Sequence, residues 1–495
     1  MSKLKSQIQI LNLKTYEILL GIFIIIFVVF FSYLSIKRYR TLNSYYYDLG
    51  IMNQVVYNTS KGRFLEMTNQ DLKKNVSRLA IHFDPILAVF APFYKVYEGP
   101  EILLIGQALV LGLGAWAIFL IGNKILRDPS VVSRPQDDGG AKLISLIFVL
   151  TYLLYFAVQR AVLFDFHAVS LATTFFLFAA YFQEVKKWLW FFIFIFLALL
   201  TKEHVGLVVF LFGLYLFFIK KEKKIGLVTS ILGLAFFVAT VYFIIPYFRG
   251  AEHFALKYFE DTHLRYKNII IDGYSYVKLL LVPVFYSLFS PLTLVISLPE
   301  WAINILSINS NQRSILFHYN SIIVSFIFYS LILGYKSFDR LVKNNLIKRI
   351  VFVLFIILSL RSIYKFNPVP YFVKYPVNYQ NLNPITDNSI KTWQEKLKDD
   401  NIIVSTTPRL APFFTNRRYY YNFLYDSAFA EAGDTEEEVE KSNISNYKMA
   451  DYVIIDKQEV KDSLPNKFYQ KLNQDKDYQM IFSDSKWIEV YKRSQ

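Results

Sequence analysis

The sequence predicts an all-α polytopic transmembrane bundle of about eleven helices with a small C-terminal α/β domain, on three observations. Hydrophobic residues make up 54% of the 495 and charged residues only 19%, and the mean hydropathy is +0.32. Apolar runs such as GIFIIIFVVFFSYL recur over the first 365 residues, which a water-soluble chain cannot hide. After Tyr364 the pattern changes to short helical and strand-like stretches in alternation.

The first apolar stretch runs from about Ile18 to Leu34, with Lys37, Arg38 and Arg40 directly after it. No small-residue cleavage site follows, so it reads as a first transmembrane helix rather than a signal peptide. Residues 36–100 form a long first loop. Within it, residues 83–97 contain two prolines and are too short to cross a bilayer, so they read as a helix lying in or near the interface. Further apolar segments follow at 101–122, 142–158, 167–183, 187–200, 204–219, 225–247, 276–289, 291–306, 319–335 and 349–364. The transmembrane region is thus 1–365 and the small domain 366–495. The latter begins with a proline-containing linker and continues with helix-like SIKTWQEKLKD, strand-like IIVST and YVIID, and a closing pair YQMIF and KWIEVYK. The acidic run GDTEEEVEK reads as a solvated face.

Charge sets orientation. The formal net charge is +15, yet residues 366–495 hold 17 Lys/Arg against 19 Asp/Glu, so the excess lies in the membrane part. There it reads as topology signal and lipid contact, which removes nucleic acid as a partner. Lys124 to Lys142, Lys186/Lys187, KKEKK at 220–224 and Lys336 to Arg349 alternate with loops poor in Lys/Arg. This predicts a multi-pass plasma-membrane protein with a cytoplasmic N-terminus, an outer first loop and an extracytoplasmic C-terminal domain. With no cysteine, disulfides, thiolate metal sites and a Cys nucleophile are excluded.

Ionisable groups beside apolar helices are costly, and those that persist point to function. Asp48, His82, Asp84, Arg160, Asp165, His167, Lys202, Glu203, His204, Glu252, His253, His263, Arg313 and His318 all fall on the predicted outer side, and they include every histidine of the chain. Asp48, in YYYDLG, is a candidate general base or the cap of the helix that follows. Asp84, before Pro85, reads as a helix cap. Arg160 suits a phosphate, with Asp165 orienting His167, or else snorkels to headgroups. Lys202, Glu203 and His204 are consecutive, so they point in different directions on a helix. They read as a local Lys202–Glu203 pair or as a phosphate-binding lysine. Arg313 and His318 precede the membrane helix that starts near 319; Arg313 is a candidate diphosphate clamp or an interfacial arginine. The chemistry classes narrow further because no nucleotide loop, HExxH or GxSxG motif is present. Asp, Glu and His suit a divalent cation such as Mg or Mn, with Asp48, Asp84 and Asp165 as candidate ligands, but no spacing is diagnostic.

The succession YYYDLGIMNQVVYNTSKGRFLEM, HFDPILAVFAPFYKVY, PEILLIGQALVLGLGAWAIF, FDFHAVSLATTFFLFAAYF, LLTKEHVGL, SPLTLVISLPEWAINILSINSNQRSILFHY, VSTTPRLAPFFTNRRYYY and ADYVIID resembles a family of predicted prokaryotic membrane proteins of unknown function. That family is similar in layout to the GT-C class of glycosyltransferases. The resemblance implies a GT-C-like bundle, a polyprenyl-phosphate sugar donor, and a glycan, lipid or protein acceptor. It implies that Asp48, the acid of the first outer loop, acts as base or metal ligand in an inverting displacement, with His82 and His167 beside it. Many class members have two adjacent acids there, whereas Asp48 stands between Tyr47 and Leu49, so Asp84, Asp165 or Glu203 would supply the second. Arg160, Lys202 and Arg313, together with Asp165, Glu203, His204 and His318, would hold the substrate and offset phosphate charge.

Two other functions compete with a glycosyltransferase. A transporter or flippase of a lipid-linked or anionic solute calls for mid-helix charges and related halves, and no internal repeat is visible. A non-catalytic scaffold would place binding in the external domain and leave Asp48 dispensable.

Overall fold

The computed structural model describes residues 2–127, 138–253, 266–307, 309–369, 388–426, 443–461, 463–484 and 487–494. Most of the linker after Val369, the acidic run at 433–441 and His263 lie outside these residues.

All the apolar segments of the sequence are helical. Helix α1 (Ser2–Arg40) enters a first loop that carries α2 (Ile51–Ser60), an antiparallel hairpin of β1 (Glu66–Asn69) and β2 (Lys74–Ser77), and the short helical stretch Pro85–Tyr94. Then come α3 (Glu101–Leu126), α4 (Asp138–Leu153), α5 (Phe156–Leu163), α6 (Ala168–Glu184), α7 (Trp188–Leu199), α8 (Val205–Phe218) and α9 (Lys223–Ala239). Helix α10 (Tyr266–Leu281), the stretch Pro291–Leu306, α11 (Ser321–Leu341) and α12 (Asn345–Phe366) complete the bundle.

Length separates these helices. Among the described residues, Thr15–Arg40, Glu101–Leu126, Lys223–Arg249, Ile269–Phe289 and His318–Leu341 are long and apolar enough to cross a membrane. Gly139–Leu153 and Phe156–Leu163 would make a sixth span if their 46° bend is crossed as one. Other apolar helices, such as α7 with 12 residues and α8 with 14, are shorter than a bilayer core, while α12 has 22 residues but carries Lys348, Arg349, Arg361 and Lys365. About eleven therefore counts apolar helices, whereas five or six among the described residues are long and apolar enough to cross.

One hydrophobic core, from Leu20 to Val369, joins the bundle helices. Helices α8 and α9 pack backbone to backbone. Gly206 and Gly213 on one helix face Gly226 and Gly233 on the other, and a Cβ added at Gly213 would lie 2.3 Å from the backbone nitrogen of Ser230. Small residues at heptad spacing let two backbones meet where lipid gives no hydrophobic drive.

The C-terminal unit is a five-stranded sheet in the order β4-β3-β7-β9-β8: β3 (Val404–Thr406), β4 (Tyr420–Asn422), β7 (Tyr452–Asp456), β8 (Tyr478–Ser483) and β9 (Ile488–Arg493). A small ladder of β5 (Tyr425–Asp426) and β6 (Asn443–Ile444) lies apart, and helices α13 (Ser389–Lys396) and α14 (Ser463–Gln474) complete the unit. Strand β3 pairs in parallel with β4 and β7, while β9 is antiparallel to β7 and β8. This unit does not fold around itself alone. A second core joins Tyr39, Tyr46, Leu49, Val55 and Met67 of the first loop to Trp393, Val404, Phe414, Tyr420, Ile454 and Val490. The ring of Tyr46 stacks on that of Tyr420 with centroids 5.4 Å apart. Gln70 bonds Tyr420 and Asn422 through their backbone at 3.1 and 2.9 Å.

Candidate functional site

The end of α1 sets the site. Leu42 takes a left-handed backbone conformation with φ 59°, which costs about 1–3 kcal/mol in a residue other than glycine. Complete burial of its side chain and a 2.7 Å bond from Arg409 Nε to its carbonyl hold it there. The chain then forms a π-helical turn over Tyr46–Gly50, a geometry common at functional positions, with Asp48 at its centre. Asp48 does not cap a helix. Its Oδ1 lies 3.0 Å from Nε2 of His167, and it makes no other hydrogen bond among the described residues.

His167 sits at the start of α6 in extended backbone, and its N–H donates to Gln107 Oε1 at 2.8 Å. Gln107 Nε2 in turn donates to the carbonyl of Asp165, so one amide clamps the whole turn. His318 stacks on His167 with ring centroids 3.5 Å apart. The Nε2 of His167 faces Asp48, and its Nδ1 is buried with no hydrogen-bond partner.

Asp165 does not orient His167. It accepts from Arg38 Nη1 at 2.7 Å, from Ser44 Oγ at 2.5 Å and from the backbone of Tyr45, and so holds the segment that delivers Asp48. Asp84 is structural, though not as a cap: it makes no capping bond, and Arg78 grips both its oxygens at 2.9 to 3.2 Å. The candidate metal set Asp48, Asp84 and Asp165 is thereby split, because arginines neutralise two of the three.

The turn after α7 places three consecutive residues in three directions. Glu203 does not pair with Lys202. Its Oε1 meets His82 Nδ1 at 3.0 Å and His253 Nε2 at 3.4 Å, and its Oε2 accepts from Phe83 N at 3.0 Å. His204 turns to Glu300 at 3.0 Å. Burial and the nearby Lys202 ammonium push the His82 imidazole down to about 3. Burial alone would raise the Glu203 carboxyl, but His82, His253 and Lys202 outweigh it and hold it well below the usual range. The contact is therefore a neutral imidazole on a carboxylate. The Lys202 ammonium lines both cavities and makes no hydrogen bond or ion pair with a described residue.

Two adjoining cavities contain these groups. One, of about 520 Å³, is walled by Tyr46, Asp48, His82, His167, Lys202 and His318. The other, of about 350 Å³, is walled by Lys202, Glu203, His204, His253 and Glu300 and shares His82, Lys202 and His318 with the first. The rest of its wall combines apolar Val169, Leu207, Phe237 and Ile322 with polar Asn304, Asn309 and Gln312.

Two predicted cations stand elsewhere. Arg160 Nε donates to the carbonyl of Phe366 at 2.8 Å, at the end of α12. Arg313 donates to the carbonyl of Ser307 at 2.6 Å and lies 3.6 Å from Asp272. Neither lines either of the two cavities. Sequence reading passed over Arg38, seen only as a flank of helix one, and Arg78, Gln107 and Glu300. The one available signal was a charged or amide side chain inside an apolar context, as in PEILLIGQALV and SLPEWAI.

A family model described as predicted membrane protein (DUF2079) matches residues 38–492. Among solved structures the fold is similar to ArnT from Cupriavidus metallidurans, crystallised bound to undecaprenyl phosphate, with a TM-score of 0.50 and 9% sequence identity over 94% of this chain and 97% of that chain. No curated protein matches the sequence significantly.

Proposed function

The chain belongs to the DUF2079 family of predicted membrane proteins, and from the two cavities we propose that it is an integral-membrane glycosyltransferase that takes a sugar from a polyprenyl-phosphate-type lipid to an acceptor on the external face. The observation that carries this reading is the Asp48–His167 pair on the wall of a cavity that also holds the unpaired ammonium of Lys202. The likeness of the fold to a protein bound to undecaprenyl phosphate supports a lipid-phosphate donor, as does the GT-C-like layout.

In this reading Asp48 is the general base. His167 donates to one carboxylate oxygen and fixes the side chain, leaving the other to take the acceptor hydroxyl proton as the acceptor oxygen attacks the anomeric carbon. The bond from that carbon to the phosphate oxygen breaks, and Lys202 offsets the charge left on the lipid phosphate. His82 and His318 line the space between acid and cation, and Glu203 and His204 border the second cavity beyond. Part of that cavity's wall, with Phe237 on Lys223–Arg249 and Ile322 on His318–Leu341, comes from helices long enough to span, and this apolar side fits the first isoprene units of a carrier. The N-terminus lies in the cytoplasm and the C-terminal unit outside, as basic-loop asymmetry predicts.

The test is transfer of sugar from a polyprenyl-phosphate donor by the purified chain in lipid nanodiscs. Loss of transfer in Asp48→Asn with unchanged membrane insertion is the expected result. Retained transfer in that variant removes Asp48 from the role.

A further inference from the structure

We propose that His82, Glu203 and His253 bind one divalent transition-metal ion of the zinc class, a site separate from the Asp48–His167 pair. Among the described residues these three form the one group of three or more metal-ligating side chains with ligand atoms that converge: His82 Nδ1, Glu203 Oε1 and His253 Nε2 all lie within 4.8 Å of one another. Two of the separations are 3.0 and 3.4 Å. Zinc bonds of about 2.0–2.2 Å at tetrahedral angles place neighbouring ligand atoms roughly 3.3–3.5 Å apart, so a small movement closes the third separation around a single ion.

The chemistry of the donors selects the ion. Two imidazoles and one carboxylate suit zinc and its neighbours, whereas magnesium prefers oxygen ligands and retained water. Glu203 is also oriented as a ligand should be, since its second oxygen is fixed by the N–H of Phe83. His253 and Glu203 are almost fully enclosed, with side chains 4% and 6% exposed, while His82 borders both cavities. A fourth position would then face the cavity, where water or an anionic oxygen can occupy it.

The three ligands come from three segments: the first loop, the turn between α7 and α8, and the stretch after Arg249. The ion would tie these walls together. Charge also bears on the site. Two neutral imidazoles, one carboxylate and a doubly charged ion sum to a single positive charge, which adds to that of Lys202 and draws an anion into the cavity. Lys202 at the same time opposes the ion, so binding is expected to tighten when phosphate is present.

The experiment loads the full-length chain in detergent with zinc chloride, with and without inorganic phosphate, removes free metal by desalting and measures bound zinc by mass spectrometry. Wild type should retain about one ion per chain, and Glu203→Gln and His253→Ala far less. Asp48→Asn should keep the ion, so this readout stands whether or not the chain transfers sugar. Retention by wild type of less than roughly a tenth of an equivalent, or equal retention by wild type, Glu203→Gln and His253→Ala, overturns the site. Should those variants fail to accumulate, cobalt replaces zinc in the wild type. Visible d–d absorption of a four- or five-coordinate imidazole site then supports the proposal, and a spectrum of hexa-aqua cobalt overturns it.

Discussion

Nε2 of His167 lies 3.0 Å from Oδ1 of Asp48 although the two residues are 119 positions apart in the chain. An imidazole that donates to a carboxylate fixes its orientation and leaves one oxygen for work, which makes the pair a unit. Asp48→Asn and Asp48→Ala should lower sugar transfer by about 10²–10⁴-fold, and His167→Ala should fall within the same range. Because the residues act together, the double variant should be little worse than either single one, as measured by initial rates in nanodiscs.

Lys202 is a cation without a partner between two cavities. Lys202→Met should raise the KM for a lipid-phosphate donor by roughly 10–100-fold, the value of one hydrogen bond to a charged group, with a smaller fall in kcat. The same substitution should not lower thermal stability, since no ion pair is broken. Steady-state kinetics at varied donor concentration check both.

The side chain of Tyr420 stacks on Tyr46, which lines the cavity that holds Asp48. Tyr420→Ala should cost about 3–5 kcal/mol locally and disturb the turn that carries Asp48, so transfer should fall although Tyr420 is absent from both cavities. Tyr420→Phe keeps the stack and should keep most activity, losing the hydroxyl's bonds to Thr406 and to Asn422 Oδ1. Hydrogen exchange over residues 44–50 should rise in the first variant and not in the second.

Gly213 tests the α8–α9 contact. Gly213→Val should abolish accumulation of folded protein, because the backbone of Ser230 has no room to withdraw from the new side chain. Gly62 has nothing within 4 Å of an added Cβ but a φ of 83°, so Gly62→Ala should cost only the modest strain of that turn. Yield after detergent extraction separates the two.

Glu459, beside Asp456 and the backbone of Arg409, has its carboxyl pushed up to about 7 by burial and by Asp456. The folded chain keeps this proton longer than the unfolded one. Its contribution is therefore full below the usual carboxylate range near 4.5, declines as pH rises, and is gone above about 7. Glu459→Gln should be more stable than wild type by on the order of 1–2 kcal/mol at pH 8, with the difference disappearing by about pH 4.5. Thermal unfolding at the two pH values checks the sign.

The sequence makes helices legible because a twenty-residue apolar run has few alternatives in lipid, and all the apolar segments are helical. The strands YVIID and YQMIF are legible by the same token of pattern and boundary. Asp48, His82, His167, Lys202, Glu203, His204 and His318, marked as costly groups beside apolar helices, all line the cavities. Which acid meets which base was not legible. Asp165 stands two residues from His167 and looked like its partner, yet Arg38, 127 positions away, takes it. Arg160 and Arg313 show the same limit: a long flexible side chain goes to whichever carbonyl the tertiary fold brings near, and local spacing does not contain that information.

The core that joins the first loop to the C-terminal sheet has a consequence for biosynthesis. Residue 48 leaves the ribosome and passes the translocon long before Trp393, Tyr420 and Val490 exist to pack against its neighbours. The turn that carries Asp48 therefore reaches its packed surroundings only after the strands around Tyr420 and Val490 have been made, so early synthesis yields a first loop without its partner.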